Sequence, residues 1–476
     1  MKTNNEIPPT RAEKDSMGEM QVPASALYGA STQRAVLNFP ISSLRYPRRF
    51  IKALGQVKLA AAQTNAELGL VDKHIADAIV KAAQEVIDGK HDAHFVVDTF
   101  QTGSGTSTNM NANEVIAHRA SHLAGAETAG KKIHPNDHVN FGQSSNDVIP
   151  TATYVAAASA IKEDLLPALR VLHASLETKS KEFWGIIKTG RTHLQDATPI
   201  RLGQEFLGYA GQIERGVARA EAALKELSEV ALGGTAVGTG INTHPEFAKR
   251  ATARLSLMTG LTIRETSNHF QAQSALDNAV AASGALKTIA VSLTKIANDV
   301  RWLGSGPRAG LGELELPAVQ PGSSIMPGKV NPVIAESVLM VCVQVIGNDA
   351  AITAGGQSGN FEINLTMPIV AYDLLQSIEL LANASQNFAT QAIDGLKATE
   401  RGPQMVERGL AIGTSLAPII GYDAAAAIVK EAAKTGKSIR EVAREKTKLS
   451  EAELATILDP ALMVEPSADR VGAGGG

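Results

Sequence analysis

The sequence contains a single cysteine, Cys342, in 476 residues. A disulfide within the chain and a metal site built from several cysteines are therefore both excluded. Cys342 stands in the apolar run 339–343, and this setting favours a small buried side chain over a reactive thiol.

A strong excess of charge of one sign is also lacking. Lys and Arg total 45 and Asp and Glu total 48, which leaves a formal net charge of −3. This balance provides no general field for holding nucleic acid or an anionic membrane. Local groups must therefore hold any anionic ligand.

Long apolar runs and aromatic residues are scarce too. No run reaches the roughly 18 apolar residues of a membrane span. The N-terminus lacks the apolar core of a signal peptide, and Glu13 and Asp15 are untypical of a transit peptide, so we expect a soluble, cytoplasmic protein. Aromatic residues make up only 4 %, whereas alanine-rich runs recur at 156–158 and 424–427, which favours helix over strand.

Apolar residues spaced by three and four predict long helices in the middle of the chain. The first stripe consists of Ile161, Leu165, Leu169, Leu172 and Leu176. Pro167 lies inside it and predicts a kink. A second stripe follows Pro199, and the predicted helix ends at Gly233.

A third stripe covers 286–303 and is expected to end at Gly304. The three stripes and the apolar segments at 333–352 and 369–388 make five elements long enough to span a helical bundle. Shorter helices are predicted near 51–68 and 75–87. Seams of this length imply helices packed on several sides, which predicts association of several chains.

Four polar segments concentrate groups that could carry chemistry. The first, 322–332, combines hydroxyls, Lys329 and Asn331 between glycines, with Glu336 following. Such a loop could close over a ligand and hold developing negative charge, although a polar turn with serine caps remains an alternative. The second, 103–111, and the third, 143–147, offer small donors near a helix N-terminus, where carboxylate or phosphate binds.

The fourth segment, 190–196, contains His193, which could transfer protons near neutral pH, although an isolated histidine is often structural. His134, Asp137 and His138 are of types that bind metals, but Pro135 breaks the helix that would align them, which favours an anion contact or a capped turn. No Walker loop, Gly-x-Ser-x-Gly elbow or dinucleotide fingerprint after a strand is present.

These segments resemble the fumarase and aspartase superfamily, and specifically the class II, iron-independent fumarate hydratases. The resemblance extends from Lys14 to Val464. The Gly-Ser-Ser-x-x-Pro-x-Lys-x-Asn loop at 322–331 is the superfamily signature, while 190–199 and 358–362 are similar to fumarases in particular. Aspartases usually carry Gln in place of His193 and Ala in place of Gly328.

The resemblance implies a reversible hydration of fumarate to (S)-malate through an aci-carboxylate intermediate, with no cofactor or metal. Ser323 would be the base, and Lys329 and Asn331 would stabilise the intermediate. His193, paired with Glu336, would protonate the departing hydroxyl or activate the incoming water. The implied substrate-binding residues are Ser104, Gly105, Thr106, Ser144, Ser145, Asn146, Thr192 and Ser324. His134, Asn136 and Asp137 match a second dicarboxylate site of the family.

The resemblance also implies an all-α fold of three domains, at 1–143, 144–394 and 395–476. The central five-helix bundles would associate into a homotetramer with a twenty-helix core, and each active site would be shared between subunits. An aspartate ammonia-lyase or another superfamily lyase is the alternative enzyme. A helical structural scaffold is the non-enzymatic alternative, against which the intact Ser323, His193 and Lys329 argue.

Overall fold

A computed structural model of the protein describes residues 9–125 and 132–468. The first eight residues, on which the predicted absence of a signal peptide partly rests, lie outside these ranges. Within them the fold is all-α, as predicted: it has seventeen α-helices, and its ten short strands form five two-stranded sheets.

The helices are α1 Ala30–Asn38, α2 Arg48–Glu67, α3 Lys73–Ile87, α4 Thr106–Ala124, α5 Ser145–Ala160, α6 Leu166–Glu182, α7 Leu202–Glu226, α8 Phe247–Thr259, α9 His269–Ser274, α10 Asp277–Leu303, α11 Val333–Gly356, α12 Met367–Phe388, α13 Arg401–Val406, α14 Ala417–Ile420, α15 Tyr422–Thr435, α16 Ile439–Lys446 and α17 Glu451–Ile457. The strands are β1 Thr10–Asp15, β2 Gly18–Pro23, β3 Ile187–Thr192, β4 Gln195–Arg201, β5 Glu229–Val230, β6 Arg264–Glu265, β7 Leu314–Glu315, β8 Gly359–Asn360, β9 Ile363–Asn364 and β10 Lys397–Ala398. The parallel pair is β5–β6, and β1–β2, β3–β4, β7–β10 and β8–β9 are antiparallel.

All five predicted long helices are present. The disturbance expected at Pro167 takes the form of a π-helical turn, Ile161–Leu165, which joins α5 to α6. Proline lacks an N–H and its ring displaces the carbonyl of the preceding turn, and a wider π turn provides room for both. The predicted end of α7 at Gly233 is wrong: the helix ends at Glu226, because the chain then extends to pair β5 with β6.

The chain divides into two compact units, and the divisions fall within long helices. The first unit comprises Met1–Pro167, Val217–Ala290 and Cys342–Asn383. In it, α2 packs against α3, α5 and α8 and is buried on most of its surface. The carboxylate of Glu114 on α4 accepts hydrogen bonds from the backbone N–H groups of Gly29, Ser31 and Thr32, and so caps the N-terminus of α1.

The second unit comprises Ala168–Gly216, Val291–Val341 and Ala384–Gly476. Its C-terminal part has an apolar core of its own, to which Leu416, Ile428, Val442 and Leu454 contribute. Capping boxes at Ser438 and Ser450 begin α16 and α17. The three-domain division of the sequence stays a prediction.

Two bundle helices, α10 and α11, are long and apolar enough to cross a membrane by length and composition, although 44 % and 39 % of their most apolar windows are buried within the chain. Inside the first unit the ammonium of Lys287 on α10 lies 2.6 Å from the carboxylate of Asp349 on α11. Charged groups in the middle of a helix are costly in lipid but ordinary in a packed helical bundle. This pair therefore favours a bundle role for both helices.

Candidate active site

A glycine-dependent turn begins α4 in the first unit. Gly105 has a left-handed φ of +73°, and a Cβ there would lie 2.9 Å from the side chain of Ile149. A Cβ on Gly103 would lie 2.0 Å from the carbonyl oxygen of Leu365. Only glycine fits at these positions, and the resulting tight turn places Ser104 and Thr106 at the helix N-terminus.

The N-terminus of α5 meets this turn. The hydroxyl of Thr106 lies 2.7 Å from that of Ser145 and 2.9 Å from that of Ser104. Ser144 is the N-cap of α5, and Asn146 donates its amide N–H to the carbonyl of Ala236 at 2.7 Å. We call Ser104, Thr106, Ser144, Ser145 and Asn146 the helix-end cluster; hydroxyls beside two helix N-termini are suited to binding a carboxylate.

Asp147 holds the cluster in place, a role that the sequence analysis missed. One carboxylate oxygen accepts from the backbone N–H of Ser144 at 2.9 Å, which completes a capping box. The other accepts from Gly233 and Thr235, each at 3.0 Å. Burial raises the pKa of Asp147 to about 6, while these three N–H donors favour the charged form.

In the second unit, His193 lies at the tip of the hairpin β3–β4. His193 and Leu194 have φ of +57° and +60°, the pattern of a type I′ turn, which usually contains Asn or Gly. Left-handed backbone at two such residues costs about 1 kcal/mol or more each and is typical of functional sites. Thr192 and His193 are both exposed, so the hairpin presents the imidazole outward.

The base of this hairpin is anchored by a buried charge network. Glu313, whose side chain is 2 % exposed, lies 3.0 Å from the ammonium of Lys188 on β3 and also accepts from the guanidinium of Arg191. Lys188 contacts Glu205 of α7 at 3.0 Å as well. Gly190 lies between Lys188 and Arg191 on β3. Glycine is required there, since a Cβ would lie 2.6 Å from the carbonyl oxygen of Thr198 on β4.

The loop 322–331 folds back on itself. The N–H of Gly322 donates to the carbonyl of Lys329 at 2.9 Å, and the Asn331 amide donates to the carbonyl of Gly322 at 2.6 Å. The hydroxyl oxygen of Ser323 accepts from the N–H groups of Ile325 and Met326, at 3.3 and 3.0 Å. Two N–H donors aimed at one hydroxyl oxygen stabilise its deprotonated form. The side chains of Ser324 and Lys329 are exposed.

The remaining residues of the predicted set are Glu336 in the second unit and the segment 134–137 in the first. Glu336 is exposed in the first turn of α11, and no hydrogen bond or ion pair among the described residues joins it to His193. The imidazole Nδ1 of His134 accepts from the N–H groups of Asn136 and Asp137, at 3.3 and 3.1 Å. This is the capped turn that Pro135 predicts. The ranges 9–125 and 132–468 contain no group of three or more His, Cys, Asp or Glu arranged to hold a metal ion.

The hydroxyls beside two helix N-termini could bind a carboxylate, and the serine oxygen that faces two N–H donors could act as a base, so the fold and these two sites are compatible with a lyase acting on small acids. The model of the lyase family matches residues 18–347, and that of the fumarase C C-terminus matches residues 412–465. The chain belongs to this lyase family, and within it to the class II fumarate hydratases.

Relatives that match over nearly their full length support the assignment to the class II fumarate hydratases. The class II fumarate hydratase of Halobacterium salinarum is 59 % identical over 94 % of this chain and 96 % of that relative. The enzyme of the same name from Xylella fastidiosa strain Temecula1 is 52 % identical over 98 % of each chain. The crystal structure of class II fumarase from Schistosoma mansoni matches with a TM-score of 0.93 and 39 % identity, over 96 % of this chain and 99 % of that chain.

Glu313→Gln should destabilise the protein by about 3–5 kcal/mol, because Lys188 and Arg191 would lose the carboxylate that compensates their charge. Turnover should fall as well, since the hairpin with His193 would be less firmly held. Urea denaturation followed by far-UV circular dichroism measures the first effect. Glu315→Gln, two residues away and exposed, is the matched control; equal stabilities of the two variants would contradict the anchoring role of Glu313.

Proposed function

We propose that this chain catalyses the reversible hydration of fumarate to (S)-malate by general acid/base chemistry. The pair of backbone N–H donors on the Ser323 oxygen carries the proposal, because an ordinary serine hydroxyl is too weak an acid to serve as a base unaided. Membership of the class II fumarate hydratases supports the choice of substrate.

In the dehydration direction, the oxyanion of Ser323 takes the proton from C3 of malate. The electron pair of the broken C–H bond moves into the neighbouring carboxylate and produces a doubly charged aci-carboxylate. Lys329 and Asn331, on the same loop, stabilise this charge. The bond from C2 to the hydroxyl then breaks, His193 supplies the proton, and fumarate and water leave. Hydration follows the same steps in reverse.

The helix-end cluster binds one substrate carboxylate. The hydroxyl of Thr106, which is hydrogen-bonded to those of Ser104 and Ser145, and the N-terminal N–H groups of α4 and α5 provide donors without a permanent charge. Gly105, which has no side chain, lets the carboxylate approach these donors. Thr192 and Ser324 complete the proposed set of substrate-binding residues. His134, Asn136 and Asp137 would form the second dicarboxylate site. We also propose the three-domain division at 143 and 394 and a cytoplasmic location.

The active form is proposed to be a homotetramer with sites shared between subunits. The exposed apolar side chains of the bundle support this. On α11, Met340 and Val343 are 67 % and 71 % exposed; on α10, Val291 and Trp302 are 55 % and 51 % exposed. Each pair lies on one helix face, and apolar faces of this kind are typical of subunit interfaces. Another subunit could also provide the Glu336 that pairs with His193.

Purified protein should convert fumarate to malate with water alone, also after treatment with a chelator. A spectrophotometric assay of fumarate consumption, with and without ammonia, separates the candidates. Aspartate formation that requires ammonia, without malate, would establish the ammonia-lyase alternative. A folded protein that consumes no fumarate under either condition would instead favour the structural scaffold.

Ser323→Ala should remove nearly all turnover but leave dicarboxylate binding, because the helix-end cluster is unchanged. Lys329→Ala should weaken binding as well as rate, since its charge acts on substrate and intermediate alike. By analogy with the loss of one oxyanion donor, its rate effect is about 2.7–4 kcal/mol, roughly a hundred- to a thousandfold. Steady-state kinetics and calorimetric titration measure both. Near wild-type turnover in Ser323→Ala would contradict the base assignment and make His193 the first candidate.

Light scattering should give a mass four times that of the chain. Val343→Glu should dissociate the protein and abolish activity, because a charge would be buried in the subunit contact. Leu257→Glu on α8, where the leucine is 86 % exposed, is the control and should remain an active tetramer. Full activity of a monomeric mass at micromolar concentration would refute both the assembly and the shared site.

A further inference from the structure

Lys58 is a fully buried lysine in the middle of α2 in the first unit, with a relative exposure of 0 %. Its ammonium donates to the side-chain oxygens of Asn140, at 2.9 Å, and Gln143, at 3.1 Å. Both acceptors are neutral, and no ion pair within residues 9–125 and 132–468 includes Lys58. Burying an ammonium is costly when no carboxylate is bonded to it, so a buried lysine in this setting indicates a specific role.

The two acceptors connect Lys58 to the helices that carry the helix-end cluster. Gln143 directly precedes Ser144, the N-cap of α5, and its backbone carbonyl accepts from the Asn140 amide at 3.1 Å. The oxygen of Asn140 also accepts from the amide of Asn109, in the first turn of α4, at 3.1 Å. One ammonium is therefore linked through Asn140 to the first turn of α4 and through Gln143 to the residue that precedes the N-cap of α5.

The charges facing Lys58 leave it without a full counter-charge. Asp147 is the acidic group that acts on it, but both Asp147 oxygens are already hydrogen-bonded to backbone N–H groups. Burial lowers the pKa of the Lys58 ammonium to about 7, and Asp147 opposes that shift. The positive ends of α4 and α5 add to the positive potential here. A bound carboxylate on the cluster would provide the missing negative charge.

We propose that Lys58 is a positioning residue for dicarboxylate binding: its buried ammonium holds the first turns of α4 and α5 together and supplies a positive charge beneath the helix-end cluster. The inference rests on the proposed fumarate hydration. Lys58 does not touch the reacting atoms, so it acts on the bound ground state and on the transition state equally. Uniform binding of this kind changes KM and leaves kcat nearly constant.

Lys58→Met and Lys58→Gln test the proposal. In both, the KM for fumarate and the inhibition constant of succinate should rise together, roughly tenfold or more, while kcat stays within about threefold of wild type. The charge is lost in both variants, but glutamine keeps a donor for Asn140. A wild-type KM in Lys58→Gln would overturn the contribution of charge, and unchanged KM in both would overturn the whole proposal.

Asn109→Ala is the milder variant, in case the lysine variants do not assemble. It removes the link between α4 and Asn140 together with a buried amide oxygen that has no hydrogen-bond partner among the described residues. The KM should rise about threefold at constant kcat; an unchanged KM overturns the positioning role. Lys179→Met is the matched control, since Lys179 is also buried but donates to Glu182 and to the carbonyl of Leu396, and its KM should stay at the wild-type value.

The outcomes separate this inference from the proposed function. If wild-type protein hydrates fumarate and the three variants keep its KM, the role of Lys58 fails and the function stands. If wild-type protein does not hydrate fumarate, the function fails. Calorimetric titration of succinate into wild type and Lys58→Met then decides the role of Lys58 in dicarboxylate binding: weaker binding to the variant supports it, and equal binding, or none to either protein, overturns it.

Discussion

The buried carboxylate of Asp147 is the contact on which the first unit's part of the site depends. It closes the capping box of α5 and at the same time receives the N–H groups of Gly233 and Thr235. The helix end that carries Ser144 and Ser145 and a distant loop are thereby fixed to one side chain. A carboxylate is suited to this, since it can accept several N–H bonds at once.

In the second unit, two residues of the candidate site, His193 and Ser323, lie on turns that hold them in place without full burial. His193 is presented on a strained two-residue turn, and the turn is held from beneath by the salt bridges of Glu313. Ser323 is fixed by its own loop, through N–H groups two and three residues ahead. In the hairpin the strain is local and the charge network that compensates it is buried, a common arrangement in active sites.

Local patterns were sufficient to predict the five long helices, the helices α2 and α3, and the polar segments, although the end of α7 was misplaced. The stripe 286–303 and the stop at Gly304 correspond to α10, and the serine-rich segment 143–147 contains the N-cap of α5. Contacts between distant segments could not be read in this way. Lys58 and Glu313 stand in unremarkable local sequences, and their roles arise only when α2 or β3 is placed beside its partners. The hairpin β3–β4 was missed because its turn contains neither Asn nor Gly.

The positive groups proposed to act on the dicarboxylate are widely spaced along the chain. A dianion needs positive potential, but cations placed side by side repel one another and must be desolvated together. In this chain the positive contributions have different origins: the helix N-termini of α4 and α5, a buried ammonium on α2, and the exposed Lys329 on a loop. Lys329 lies on a loop that folds back on itself, whereas Lys58 and the two helix N-termini share the hydrogen bonds through Asn140 and Gln143. A net charge near zero is then compatible with a positive potential at each of these places, since charges are screened by salt beyond a short range.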